Sequence, residues 1–344
     1  MTRPLGGFLP LRLPAPAPAP QPILALWTAA GVDAWFLHNA RSALRALWAA
    51  VGPGRIWLPA YACREVAAAA PAGAQVRYYP VGTELVPDVD MLAANIGPGD
   101  HVLAIDYFGR PADARIAELA RTRPDVGWIE DRAQALDPGS SPWADWAVYS
   151  PRKVTGVPDG GLLVAYRAPL PPLDAPPSDD LSFMLPALER YDDVAESDNA
   201  RWYARYRQAE DAMSTRPQAM SRLSRSVLAA SDAHADGRSR RDNYAALHRL
   251  LAEWALFAEP DVAYAPLGFP LRAPSAAELV RALAVQRIYA ARHWADLPSA
   301  ADAFPAEHRL AGELVTLPCD YRYSEDDMRR MADAVIGALR RGAH

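Results

Sequence analysis

The sequence predicts an α/β fold: a mostly parallel central sheet with flanking helices, followed by a smaller C-terminal α+β domain. Three observations predict it. Between residues 39 and 166, short runs rich in Val, Ile, Tyr and Trp alternate with helical segments, the pattern of a parallel sheet covered by helices. From 181 to about 248 the strand signals give way to a long Arg-rich helical stretch, and strand-and-turn signals return only beyond it. The chain has 344 residues, 51% of them apolar, which suits two packed regions better than one small core. The expected organisation is a Pro-rich arm over 1–25, a large α/β domain over 26–245 and a small domain over 246–344.

The elements follow in order. Residues 10–22 repeat Pro and Ala and read as an extended, polyproline-like linker. Residues 39–50 (NARSALRALWAA) read as a helix with Asn39 as its cap. Strands are expected over 55–60, 75–81, 101–108, 126–131, 145–150 and 161–166, several bounded by Gly or Pro. A helix over 111–121 lies among them. Residues 168–180, with five prolines, read as a loop. The segments 260–272 and 288–316 read as strands and turns of the smaller domain. Residues 324–341 read as a closing amphipathic helix, capped by Ser324 with Asp327 at its third position.

Bulk chemistry excludes several functions. The net charge of −5 and the lack of a basic block argue against nucleic acid as a partner. No apolar run reaches the roughly 18 residues of a membrane helix. Prolines interrupt the N-terminus where a signal peptide is continuously apolar, so a cytoplasmic protein is expected. Cys63 and Cys319 form neither a metal-spaced pair nor a disulfide framework, which fits a reducing compartment.

Of the 36 Lys and Arg residues, one is lysine: Lys153. Arg replaces Lys wherever charge alone matters, but guanidinium does not deprotonate and cannot serve as an amine nucleophile. Schiff-base formation needs that nucleophile. Lys153 follows an expected strand, and Asp131 ends the strand before it, so both fall at the edge of a parallel sheet where ligands bind. Asp131 is a helix cap, an ion-pair partner or the partner of a protonated pyridine nitrogen. Gln134 falls on the same side if a helical turn follows Asp131. Ser42 and Ala43 begin a helix and either cap it or offer N–H groups to a phosphate. Tyr61 follows a strand and could stack on a ring, as could Tyr107 and Phe108, though such aromatics are more often core. His293 and Trp294 belong to the smaller domain, where His293 either touches substrate or fills core. The turn signal Asp159-Gly160-Gly161 lets the chain double back into a strand.

These residues resemble the DegT/DnrJ/EryC1/StrS aminotransferases. The resemblance runs from about Phe36 to the C-terminus. It is carried by ARSAL (40–44), LPAYAC (58–63), DYFGRPAD (106–113), IEDRAQAL (129–136), SPRK with DGG (150–153, 159–161) and LPCDYRYSEDDM (317–328). It implies the type I pyridoxal-phosphate fold, with pyridoxal 5'-phosphate carried on Lys153. By the same likeness Asp131 pairs with the pyridine nitrogen, Gln134 sits beside the cofactor hydroxyl, and Ser42 and Ala43 help hold the phosphate. It implies a homodimer whose sites are shared between subunits. The implied reaction moves an amino group from glutamate or glutamine onto a keto sugar of a nucleotide-sugar. Relatives with His in place of the lysine dehydrate sugars, and Lys153 argues against that branch. The chain also departs from the pattern. Where the family has Ser five residues before its lysine, Val148 stands here, and Ser150 is the nearby serine. The ring-stacking position falls on Cys63 or Tyr61. No GFNYRM-like segment follows the lysine, and 199–206 (NARWYARY) stands in its place. A pyridoxal-phosphate enzyme for a non-sugar amine or carbonyl, and a binding protein without turnover, remain as alternatives.

Overall fold

The computed structural model describes residues 3–13, 19–52, 54–137, 139–193 and 199–341. The expected linker over 10–22 lies partly outside the described residues, at 14–18. The chain opens with β1 (Leu5–Gly6), α1 (Ile23–Thr28), β2 (Asp33–Leu37) and α2 (Ala40–Val51). Next come β3 (Ile56–Pro59), α3 (Arg64–Ala68), β4 (Val76–Tyr79), α4 (Val89–Asn95), β5 (His101–Ile105) and α5 (Ala114–Thr122). The sheet is completed by β6 (Gly127–Asp131), β7 (Trp146–Tyr149), the short helix α6 (Pro151–Val154) and β8 (Gly161–Ala165).

Seven strands make one sheet in the order β2-β8-β7-β6-β5-β3-β4. Strands β4, β3, β5, β6 and β7 run parallel, whereas β8 is antiparallel to β7 and β2 antiparallel to β8. Both faces are covered, so β3, β5 and β8 are buried at every position and read as continuous apolar runs rather than alternating ones. The expected strand 101–108 ends early. Tyr107–Gly109 forms a tight 3-10 turn in which Phe108 takes a left-handed φ of 57°, and that conformation cannot continue a strand.

The reversal between β7 and β8 is set by glycine. A Cβ on Gly161 would meet the Asn39 carbonyl carbon at 2.1 Å and the Ala40 nitrogen at 2.3 Å. Only glycine therefore lets β8 begin against the first turn of α2. Asp159, just before it, is fully buried and accepts hydrogen bonds from the Ser221 amide and from the hydroxyls of Ser221 and Ser224. Burial alone would raise this carboxyl, but those bonds and His38 hold it below the usual range.

Helices α7 (Leu185–Asp192), α8 (Asn199–Asp211), α9 (Arg222–Ala230) and α10 (Ala233–Leu251) follow, as the helical stretch over 181–248 predicts. The C-terminal region holds β9 (Gly268–Arg272), α11 (Ala276–Val285), β10 (Ile288–Tyr289), α12 (Pro305–Glu313), β11 (Leu314–Pro318) and α13 (Glu325–Arg341). Strands β9 and β11 pair antiparallel, and β1 pairs with β10 in parallel. The reading of 288–316 as strands and turns misses α12, which Pro305 starts at a position where proline is tolerated. A second core gathers here. Phe269, Leu271, Val315, Leu317, Met328 and Val335 are buried together, with Tyr244, Leu247 and Leu251 of α10. Residue 245, the expected boundary, lies inside α10, which carries side chains into this core. In α13 the predicted cap forms: Ser324 Oγ and N both bond the Asp327 carboxylate. Among the described residues, no helix is long and apolar enough to cross a membrane.

Candidate active site

Strands β6 and β7 end side by side, with Asp131 opposite Val148 in register. Beyond them opens a cavity of about 910 Å³ between the sheet edge and the C-terminal region. It lies outside the C-terminal ends of parallel strands, the usual ligand position in open α/β sheets. Asp131, Ser150, Lys153, Cys63 and His293 all line it.

Asp131 is only 5% exposed, and its Oδ1 accepts the Ala133 amide at 2.9 Å. Burial pushes its carboxyl up, and the cation of Lys153 opposes that shift. The carboxyl thus sits in a poorly solvated wall where a cationic partner would stabilise its charged form. Lys153 stands in the single turn α6, which Ser150 and Pro151 begin, and the Lys153 amide donates to the Ser150 carbonyl at 3.1 Å. Pro151 and Val154 of that turn are buried, whereas Lys153 is exposed to the cavity. Ser150 is buried and its hydroxyl caps nothing.

Gln134 is 2% exposed. Its Oε1 accepts the Phe108 amide at 2.6 Å, which fixes the left-handed turn, while its Nε2 is buried without a partner. A buried unpartnered donor is costly unless something completes it.

The structure divides the other expected residues. Cys63 lines the cavity, half-buried; burial pushes its thiol up, opposed by Lys153. Tyr61 is fully buried behind the wall, where its hydroxyl donates to the His293 carbonyl. Ser42 and Ala43 lie inside α2 rather than on the cavity. The Ser42 amide donates to Asn39 Oδ1 at 2.8 Å and its hydroxyl to the Asn39 carbonyl at 2.7 Å, while the Ala43 amide takes the same carbonyl. Asn39, Ala40 and Arg41, one turn earlier, line the cavity instead. Tyr107 donates its hydroxyl to the Tyr61 carbonyl and belongs to the core.

Other residues enter that sequence reasoning ranked low or missed. His293 is held by a 2.9 Å bond between its Nδ1 and Thr316 Oγ1. Burial and the charge of Lys153 push its pKa down to about 3, so the ring is neutral at ordinary pH. Arg41 and Arg152 face the same space, ion-paired to Glu65 and Glu210. Phe8 reaches it from the N-terminal segment and stacks on Tyr206 of α8 at 4.2 Å. Sequence signals for these were Arg41 within ARSAL, Arg152 within SPRK and His293 as a candidate substrate contact; Phe8 and the acidic partners Glu65 and Glu210 arrive from segments that carried none. No group of His, Cys, Asp or Glu among the described residues could hold a metal ion.

The donor set fits pyridoxal 5'-phosphate. An amine, a buried carboxylate, a serine hydroxyl and two guanidiniums on the cavity match its aldehyde, ring nitrogen and phosphate, whereas Gln134, with its unpartnered amide donor, is not among the residues that line the cavity.

The sequence matches no protein-family profile and no curated protein. Solved structures share its fold. A putative sugar aminotransferase, Spr1654 from Streptococcus pneumoniae, in its PLP form, superposes with a TM-score of 0.71 at 15% identity, covering 98% of this chain and 99% of that one. The aminotransferase TlmJ from Streptoalloteichus hindustanus gives 0.65 at 20% identity over 90% of this chain and 87% of that one. DesI, solved in the presence of its TDP-sugar product, gives 0.63 at 20% identity over 89% and 81%. The chain therefore has the type I pyridoxal-phosphate transferase fold.

Proposed function

We propose that this chain is a pyridoxal-phosphate-dependent aminotransferase that moves an amino group from glutamate or glutamine onto a keto sugar of a nucleotide-sugar. One observation carries the reading: the only lysine of the chain and a buried strand-end aspartate line the same cavity. The fold it shares with a putative sugar aminotransferase, and with DesI, solved in the presence of its TDP-sugar product, supports the substrate class. The reading includes a cytoplasmic homodimer with shared sites, and the two unpaired cysteines are consistent with a reducing compartment.

The cofactor, when bound, supplies an electron sink for the carbon that loses or gains the amino group. Each residue then has a defined task. Lys153 Nζ would hold the cofactor covalently and, when displaced by the amino donor, its amine would move the proton at the reacting carbon. Asp131, ionised, would accept a hydrogen bond from the ring nitrogen and keep its proton there. Gln134 Nε2, buried without a partner, would donate to the ring oxygen. Ser150 and Arg41 would bind the phosphate. His293, neutral and anchored by Thr316, presents a polar edge without adding charge.

The test is visible absorption of the protein with added pyridoxal 5'-phosphate, followed by glutamate. A band near the visible edge that bleaches with donor, and that the Lys153→Ala variant never forms, is expected. A wild-type protein without a band would end the reading. A band that no amino donor changes would leave cofactor binding and remove transamination.

A further inference from the structure

The cavity holds more charge than the proposed chemistry uses. Besides Arg41, in the first turn of α2, and Lys153, its lining includes Arg152 and Glu210, which have no task in that chemistry. Arg152 directs one guanidinium nitrogen to the Glu210 carboxylate, while its Nε is buried with no partner. Glu210 comes from α8, the helix that also carries Tyr206 and Trp202 against Phe8 at the mouth. Both partners are largely withdrawn from water, at 18% and 30% side-chain exposure. The charges of Arg152, Arg41 and Lys153 together hold the Glu210 carboxyl below its usual range against the effect of burial. Arg41 also pairs with Glu65, whose side chain is half exposed, so Glu210 is the more buried of the two carboxylates that face these guanidiniums, and the Ser150 hydroxyl, which caps nothing, lines the same cavity.

We infer that Arg41 and Arg152 form a dianion-binding end of the cavity and that Glu210 is its built-in competitor, displaced when a phosphate monoester binds. Phosphate carries about −1.5 to −2 charge and three acceptor oxygens, so it satisfies more guanidinium donors than one carboxylate. With Glu210 still in place, phosphate and carboxylate would confront each other in a poorly solvated space, which disfavours joint occupancy. Displacing Glu210 releases a side-chain ion pair that ties α8 to the SPRK turn. Binding of the anion and docking of α8 are therefore opposed, and Glu210 sets how tightly a phosphate-bearing ligand is held. That the ligand is a cofactor rests on the proposed function; the competition does not.

The experiment uses the full-length protein without added cofactor and inorganic phosphate as the probe, titrated by calorimetry at constant ionic strength. Glu210→Gln is expected to bind phosphate at least tenfold more tightly than wild type. Arg152→Gln is expected to bind it at least tenfold more weakly, and the double variant should lose the gain of Glu210→Gln. Unchanged or weaker binding by Glu210→Gln overturns the proposal. Wild-type protein supplies a second measurement that needs no variant to fold. Phosphate should accelerate hydrogen exchange of the backbone amides over 199–211, and unchanged or slower exchange overturns the proposal. Pyridoxal 5'-phosphate separates the two readings. Phosphate effects without a visible band keep the competition and end the cofactor; a band without phosphate effects does the reverse.

Discussion

At the scale of single residues, chemistry and stability pull against each other at Asp131. Burial raises this carboxyl, so its folded value lies above its unfolded one. The folded state then binds the proton more tightly, and stability falls as pH rises through that range. Asp131→Asn keeps an oxygen for the Ala133 amide and removes the ionisable group. The cofactor-free variant should melt at a higher temperature than wild type at pH 8, with a smaller gain at pH 5, while transamination is lost. Equal or lower melting at pH 8 would refute the strained carboxylate. A different buried charge behaves the opposite way. Arg132 reaches Glu130 at 2.9 Å and Asp106 at 3.7 Å, all within the core beside the site. Burial raises both carboxyls, and the single guanidinium offsets the rise. Arg132→Leu leaves two buried acids without a counter-ion and should lower unfolding free energy by about 3–5 kcal/mol in urea titrations. A loss below about 1 kcal/mol would show that the acids are already neutral.

At the scale of elements, α2 shows what the sequence could and could not reveal. Its cap was legible because Asn39 precedes an amphipathic run, and the side chain does accept the Ser42 amide. Asn39→Ala should cost about 1 kcal/mol by urea titration and also weaken anion binding, since the same turn carries Arg41 into the cavity. Unaltered phosphate affinity would separate the cap from the site. Ser42 and Ala43, expected beside a phosphate, lie inside α2, and Asn39, Ala40 and Arg41 line the cavity instead. Sequence places the start of a helix but not the direction from which β8 meets it, and that approach was fixed by Gly161. Most central strands were legible as apolar runs between Gly and Pro. Strand β2 was missed because at the sheet edge one of its five residues is exposed, three are half-buried and only Leu37 is buried, which leaves neither an apolar run nor clean alternation. Helix α12 was missed because it ends directly in β11, and the two were read as one.

At the scale of the whole molecule, the site joins segments from the first ten residues to Arg322. Lys153 and Asp131 could be found because strand-end position is encoded locally. Glu210 and Phe8 could not, and Arg41 and His293 were visible in the sequence without their places in the cavity, since tertiary packing alone brings these residues together. That packing predicts a pH response. His293 is held near pKa 3, whereas its unfolded form takes a proton near the ordinary imidazole value of about 6.5. Between those values the unfolded state binds more protons, so stability falls as pH drops from about 6.5 toward 3. His293→Gln should flatten that part of the stability curve measured by denaturant titration across pH 4–7. A curve as steep as wild type would place the acid sensitivity elsewhere.

The N-terminal segment makes the most distant connection in the chain. Leu5 and Gly6 pair with Ile288 and Tyr289, the Leu11 amide bonds the Ala187 carbonyl, and the Arg12 amide bonds the Gly156 carbonyl. On the ribosome, these first residues emerge long before their strand partner is made. They wait unpaired through most of synthesis, and the closing of such a long loop comes late. The central sheet can assemble meanwhile, because its strands lie within residues 33–165. The cavity wall built from Gly7, Phe8 and Leu9 is then among the last parts to form. A nascent chain stalled before residue 288 would carry Lys153 in a folded sheet yet leave that side of the cavity open.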